Sequence, residues 1–333
     1  MLVAPNDWLG RRGAGHDGGM APVTLTPTEL AARTARAVEA AVGAGRALGL
    51  PVTDPKVLHD VFSVVVHLAP APVVARVPVV LPPGFDGAAR EARQARELAV
   101  VAWLAERDVP VVRPSPRVPR EPVRRDGFSM TFWEYVEVDA SREPDYLGEA
   151  ALAANLHAAL RDYPGELPFL SPLSRVAECL AFLDVHPGLL APADLERARS
   201  EWAVLGPLLS SREAFVQAFP GVGVQPIHGD APSYNILRTT SGVRYSDFEE
   251  VTLGPAEWDL AFLGPDGAAV YDAAAAKAGV RRLDPAVLRL LDVAAMLNTA
   301  ACHALVPQLP MLAGALAPLL EKWRAMPFAG GRD

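Results

Sequence analysis

Two short runs carry side chains whose types and spacing could do chemistry: His228-Gly229-Asp230-Ala231-Pro232-Ser233-Tyr234-Asn235-Ile236-Leu237 and Tyr245-Ser246-Asp247-Phe248. Between them, Asn235-Ile236-Leu237-Arg238 and Val243-Arg244-Tyr245-Ser246 alternate like the arms of a β-hairpin, with Thr239-Thr240-Ser241-Gly242 as the turn. Folding the arms in that register sets Arg238 against Val243 and Asn235 against Ser246. Asp247 then returns beside the start of the first arm. An amide and a carboxylate brought together this way suit Mg²⁺, a hard cation usually held by one or two carboxylates plus phosphate oxygens and water. Asp230, five residues before Asn235 on an irregular loop with Pro232, is a carboxylate able to accept or orient a hydroxyl proton while the metal holds phosphate. Taken singly, Asp230 and Asp247 read as turn residues and Asn235 as a strand cap. Taken together with His228-Gly229, they read as a phosphoryl-transfer constellation, because that reaction asks mainly for positioning and charge neutralisation.

The elements that must position these residues fall into two parts. Thr26-Pro27-Thr28-Glu29 predicts a helix start, with Thr26 as cap, Glu29 reaching back to it and Pro27 in the first turn. Leu30, Val38, Ala41 and Val42 follow at helical spacing, and Gly49 ends the run. Val64–Leu68 and Val73–Val77 read as strands joined by an Ala-Pro-Ala-Pro turn. A helix is predicted over 87–107, a short strand over 109–112, a Pro/Arg-rich solvated loop over 114–125 and a strand over 128–138. Beyond Val138 helical periodicity dominates, as in 146–160, 193–205, 285–305 and 310–323. A strand-rich first part and a helix-rich second part, joined near Glu137, predict an α+β fold of two lobes, residues 23–137 and 138–333, with a cleft between them. Residues 1–22 read as a disordered tail, with Met20 as an alternative start.

Composition narrows the function classes. The chain has 333 residues, 50% hydrophobic and 21% charged, which suits one large domain or two joined lobes. A net charge of −8 argues against nucleic-acid and anionic-membrane partners, which need clustered Lys and Arg, and is compatible with a cationic substrate. Two cysteines, Cys179 and Cys302, cannot build a disulfide framework or a thiolate metal site. Residues 1–20 contain no apolar signal-peptide core, and the most apolar stretch, 64–83, is broken by His67, Arg76 and five prolines. The expectation is a cytoplasmic enzyme.

The His228–Asn235 run and Asp247-Phe248 resemble the H-G-D-x-x-x-x-N loop and the later metal-binding D-F of the aminoglycoside phosphotransferase and choline kinase family, a branch of the protein-kinase-like fold. The resemblance implies ATP and Mg²⁺ as cofactors and an antiparallel N-lobe sheet with a mainly helical C-lobe. It implies Asp230 as catalytic base, His228 as organiser of the loop, and Asn235 and Asp247 as magnesium ligands. Glu257-Trp258-Asp259-Leu260-Ala261 resembles the family's helix-starting element, which places Asp259 as a brace for the catalytic loop. Val73-Val74-Ala75-Arg76 sits where such enzymes carry V-A-x-K, so Arg76 takes the place of the lysine on the nucleotide phosphates, and Glu97 is placed to pair with it. Glu134 to Val136 would be the hinge that meets adenine. The likeness covers about residues 55–325, with the N-lobe as nucleotide-binding part and the C-lobe as catalytic and acceptor-binding part.

The sequence departs from the family pattern at three places. Arg76 replaces Lys, and its longer planar fork holds phosphate with different geometry. The phosphate loop His59-Asp60-Val61-Phe62-Ser63 has no glycine. Asp247-Phe248 is followed by Glu249, not Gly; Glu249 reads either as facing the site or as solvated, and Glu250 as solvated. The implied reaction moves the ATP γ-phosphate to a hydroxyl of a small molecule: an aminoglycoside or related antibiotic, or else an amino alcohol or sugar. A nucleotide-binding regulator without catalysis is the second reading. A metal-dependent hydrolase is the third, and it would want a further His or carboxylate cluster. His157 reads as a packing or hydrogen-bonding residue of a helix, and His303, next to Cys302 on an apolar helix, carries little weight as a metal ligand.

Overall fold

The computed structural model describes residues 24–331, so the tail expected over 1–22 lies outside the described residues. The chain divides into two compact units: residues 25–143 with 236–249, and residues 144–235 with the chain from 250 onward. The hairpin and its exit to Glu249, expected within the 138–333 part, group with the strand-rich unit.

In the strand-rich unit, α1 (Pro27–Ala47) begins with the capping box read from the sequence: Glu29 N donates to Thr26 Oγ1 and Thr26 N to Glu29 Oε2. Strands β1 (Val52–Asp60), β2 (Ser63–Pro70), β3 (Val73–Pro78), β4 (Val123–Arg125) and β5 (Phe128–Glu134) form an antiparallel sheet in the order β1-β2-β3-β5-β4. Val64, Val66 and Leu68 of β2 and Val73, Ala75 and Val77 of β3 are buried with Ala37, Ala40, Ala41 and Ala44 of α1. Alanine on that helix face lets it lie close against branched strand residues. The period of two turns Val65 and Arg76, which are register partners, to the opposite face, and Thr131 of β5 continues the row. Helix α2 (Gly87–Ala105) is capped by Asp86, and buried Gln94 on it donates to Ser129 O of β5 at 3.2 Å.

The hairpin keeps the predicted register: β7 (Ile236–Thr239) and β8 (Gly242–Tyr245) pair with Arg238 opposite Val243 and Ile236 opposite Tyr245, but Thr239 and Gly242 also pair, so the turn is Thr240-Ser241, and Asn235 and Ser246 lie just outside the strands. Four other expectations need correction. The segment 109–112 is no strand; Pro110 lacks an N–H, and only a parallel bridge of Val111 with Tyr245 forms. The loop 114–125 ends in β4, an edge strand whose two arginines made it read as solvated. Strand β5 stops at Glu134, short of Val138. β2 runs through Pro70, so the turn to β3 is only Ala71-Pro72.

In the helical unit, α3 (Ala150–Leu160) begins four residues later than the periodicity suggests, because Asp145 takes the N–H groups of Gly148 and Glu149 in a preceding turn. Helices α4 (Val176–Asp184), α5 (Pro192–Leu209), α6 (Arg212–Ala218), α7 (Gly264–Ala278), α8 (Pro285–Ala301) and α9 (Leu312–Ala325) complete it. Short strands β6 (Gln225–Ile227) and β9 (Thr252–Gly254) pair antiparallel. α8 and the turn after it, 285–305, are apolar and long enough to cross a membrane, but 61% of that stretch is buried inside the protein as its central core helix. Cys179 is buried and Cys302 partly so, both as free thiols, and His303 is buried with Nδ1 on Ala300 O at 3.0 Å.

Candidate active site

In the helical unit, the run after β6 is held by its own backbone. His228 and Gly229 each donate an N–H to Asp259, at 2.8 Å to Oδ2 and Oδ1 respectively. Gly229 O accepts from Trp258 Nε1 at 2.8 Å, and Asp230 N donates to His228 Nδ1 at 3.3 Å. Asn235 Nδ2 closes the loop on Asp230 O at 2.7 Å and reaches Asp230 Oδ2 at 3.3 Å. Asp230 is half-buried, while His228 and Asp259 are wholly buried. His228 thus organises the loop through its ring, and Asp259 braces it through two peptide groups.

The brace has its own support. His157 Nε2 lies 2.8 Å from Asp259 Oδ2, and His157 Nδ1 lies 2.9 Å from the Tyr271 hydroxyl. His157 was legible only as a hydrogen-bonding helix residue; no spacing rule links it to a carboxylate 102 positions on. Trp258 was missed for the same reason. Glu257, also wholly buried, pairs with Arg281 and accepts Asp284 N at 2.6 Å where α8 begins. Trp258 and Asp259 therefore anchor the His228-Gly229 segment, and Glu257 the segment from Arg281 to Asp284.

Backbone conformation concentrates demand here. Gly229 has φ +87°, and a Cβ on it would lie 2.0 Å from Glu250 O, a backbone atom that cannot step aside. Gly229→Ala is expected to destabilise the fold by more than about 2 kcal/mol and to remove activity, read by urea denaturation and turnover. Ala231 and Asp247 also adopt positive φ, +40° and +58°. Such strain in non-glycine residues persists where the surroundings over-determine it, commonly at functional positions.

In the strand-rich unit, the Arg76 guanidinium is ringed by carboxylates. Nη2 pairs with Glu97 of α2, Nη1 with Asp247, and Glu249 Oε2 lies 3.4 Å from Nη2. Arg93, one turn before Glu97 on α2, holds Glu249 Oε1 at 2.7 Å and donates through Nε to Glu249 O at 3.2 Å. Glu249, which the sequence left between two readings, is therefore inside the cluster, and Glu250 is part-buried rather than fully solvated. Burial alone would lower the Arg76 pKa, but Glu97, Asp247 and Glu249 outweigh it and raise it further above the usual range. Three carboxylates face two guanidiniums, and burial, with Asp247 and Glu249 adding to it against the pull of Arg76, pushes Glu97 up to about 8. Arg76 Nε is buried and donates to no acceptor among the described residues.

The expected phosphate loop is the Val61-Phe62 turn between β1 and β2. At the hinge, Glu134 N donates to Arg113 O at 2.9 Å and Tyr135 N to Pro72 O at 3.1 Å. The structure thus groups Arg76, Glu97 and Asp247 in one unit and His228, Asp230, Asn235 and Asp259 in the other, with Glu134 and Val136 at the end of β5.

The model of the phosphotransferase enzyme family matches residues 64–291, about two thirds of the chain. The chain belongs to the phosphotransferase enzyme family. No curated protein sequence matches it. Solved structures share its fold at low identity. The amicoumacin kinase hAmiN, in complex with AMP-PNP, Ca²⁺ and Ami, is similar at a TM-score of 0.60 and 14% identity, over 90% of this chain and 96% of that one. The choline kinase LicA from Streptococcus pneumoniae is similar at 0.56 and 12%, over 86% and 99%. APH(2")-IIia, in its GDP and kanamycin complex, is similar at 0.54 and 14%, over 83% and 94%. The fold is the α+β, protein-kinase-like arrangement of this family, and the protein is a phosphotransferase.

Proposed function

We propose that this phosphotransferase moves the γ-phosphate of ATP to a hydroxyl of a small molecule, an aminoglycoside or related antibiotic. The observation that carries the reading is the closed loop from His228 to Asn235, in which the buried Asp259 fixes the backbone and Asp230 keeps a half-buried carboxylate. In this reading Asp230 accepts the hydroxyl proton of the acceptor, while Arg76, set by Glu97, holds nucleotide phosphate. Asn235 and Asp247 are the magnesium ligands. Asn235 is joined directly to Ile236, the register partner of Tyr245, and Asp247 follows two residues after Tyr245. Bound Mg²⁺ would neutralise phosphate charge. The hinge backbone from Glu134 to Val136 takes the base. Amicoumacin kinase and the kanamycin complex support an antibiotic acceptor, and choline kinase supports an amino alcohol as the neighbouring choice.

A panel of aminoglycosides, other hydroxylated antibiotics, amino alcohols and sugars, incubated with ATP and Mg²⁺ and read by mass spectrometry, tests the proposal. The expected result is a mass gain of one phosphoryl group on at least one acceptor, abolished by EDTA. Nucleotide binding without turnover across the panel would favour the regulator, and no nucleotide binding would end both readings.

A further inference from the structure

The turn expected to meet nucleotide phosphate, Val61-Phe62, has no glycine, and the strand that leads into it is irregular. Val57 pairs with Val66 but His59 with Val65, so Leu58 is an extra residue, a β-bulge in β1. We propose that this bulge makes the His59 side chain a ligand for the nucleotide phosphates, and that Asp60, latched to α1 by Thr34, is the positioning residue that fixes its aim. The inference rests on the nucleotide-binding reading of the strand-rich unit given above.

Side-chain alternation decides which face each of these residues serves. Val66 is buried with α1, and its register partner Val57 borders the groove beneath that helix with Leu30, Thr34 and Val38. An unbroken strand would send His59 to the side of Val57 and Asp60 to the other face, where its carboxylate would repel phosphate. The extra residue reverses both. His59 lies opposite Val65 and Val65 opposite Arg76, so the three form a row on one face of β1, β2 and β3. At ordinary strand spacing the backbones of His59 and Arg76 are about 10 Å apart. Asp247, bonded to Arg76, serves the same face. Neighbouring atoms crowd water from the His59 ring and lower its pKa, while the charges of Asp247 and Asp60 act the other way. A neutral ring still has one N–H to donate. Asp60 turns to α1, where Thr34 Oγ1 donates to its Oδ2 at 2.6 Å and the charge of Arg33 is felt. The turn beyond is fixed as well, since Phe62 O accepts Val79 N at 2.9 Å and Val80 N at 3.1 Å. Without glycine this backbone cannot approach phosphate closely, and a side chain aimed across the face takes over that contact.

The test uses His59→Ala, His59→Gln, Thr34→Val and the double variant Thr34→Val with His59→Ala. Binding of Mg·ADP and of adenosine is measured by calorimetry, and KM for ATP and kcat by turnover. His59→Ala should weaken Mg·ADP binding and raise KM for ATP by about tenfold, as expected for one hydrogen bond to a charged group. Adenosine carries no phosphate, and its binding should stay within about twofold of wild type. His59→Gln keeps a donor and should recover most of the loss. Thr34→Val should weaken Mg·ADP binding by about threefold and add nothing in the double variant, because the latch works only through His59. Unchanged Mg·ADP binding in His59→Ala, while Arg76→Ala weakens it, would overturn the proposal and leave the nucleotide reading standing. Equal losses on adenosine, or a Thr34→Val loss that multiplies with that of His59→Ala, would overturn it too. Wild-type protein that binds Mg·ADP no better than adenosine would end both.

Discussion

Asp230→Asn is expected to lower kcat by about 10²–10⁴-fold, the usual contribution of a positioned general base, with stability changed by less than about 1 kcal/mol. The two outcomes separate because the Asp230 carboxylate meets Asn235 Nδ2 only at 3.3 Å, a contact that an asparagine oxygen can keep. The shape of the loop is set by peptide groups: His228 N and Gly229 N on Asp259, Gly229 O on Trp258, and Asp230 O on Asn235. An asparagine at 230 leaves all of these in place and removes only the carboxylate that would take the proton. KM for ATP should change little, since no nucleotide contact is assigned to that side chain. Steady-state kinetics and urea denaturation of the same preparation check both halves. Unchanged turnover would remove Asp230 from the chemistry.

Asp259→Ala should cost about 3–5 kcal/mol of stability and abolish activity, although Asp259 is assigned to no reacting group. Its carboxylate is wholly buried and accepts from two peptide N–H groups, and His157 lies 2.8 Å from the same carboxylate. Alanine leaves those groups buried with no acceptor, and each loses its bond without regaining water. Asp259→Asn is nearly as harmful, because an NH₂ then faces groups that are themselves donors. The urea midpoint reads the effect directly. A loss below about 1 kcal/mol would show that the loop is held by something other than this carboxylate. Tyr271→Phe, which removes only the hydroxyl 2.9 Å from His157 Nδ1, should cost about 1 kcal/mol and leave turnover nearly intact.

What the sequence revealed follows the distance over which each contact acts. The capping box of α1 spans four residues and the β7–β8 hairpin ten; the first formed as read and the second in the register read. Local hydrogen bonding and side-chain alternation decide such elements, and they are written in consecutive residues. The pairing of Arg76 with Glu97 came from placing two positions on a strand and the helix after it, and it also formed. The grip of Arg93 on Glu249 spans 156 positions, and the meeting of His157 with Asp259 spans 102. Neither has a signature in spacing, because tertiary packing alone brings those surfaces together. Glu249 therefore read equally well as solvated. β4 was hidden by its composition: two arginines on a three-residue edge strand look like loop, and only pairing with Phe128–Met130 makes it a strand. Helices 4, 6 and 7 carried no strong pattern either, and their burial in the helical core defines them.

The most direct measurement follows ATP labelled at the γ-phosphate through a single turnover with a hydroxylated acceptor, in wild type and in Asp230→Asn. The account predicts that label moves to the acceptor as a phosphate ester in wild type and stays on the nucleotide in the variant, with both proteins binding Mg·ATP alike. Label released as inorganic phosphate with none on any acceptor, or equal transfer by the variant, would contradict it.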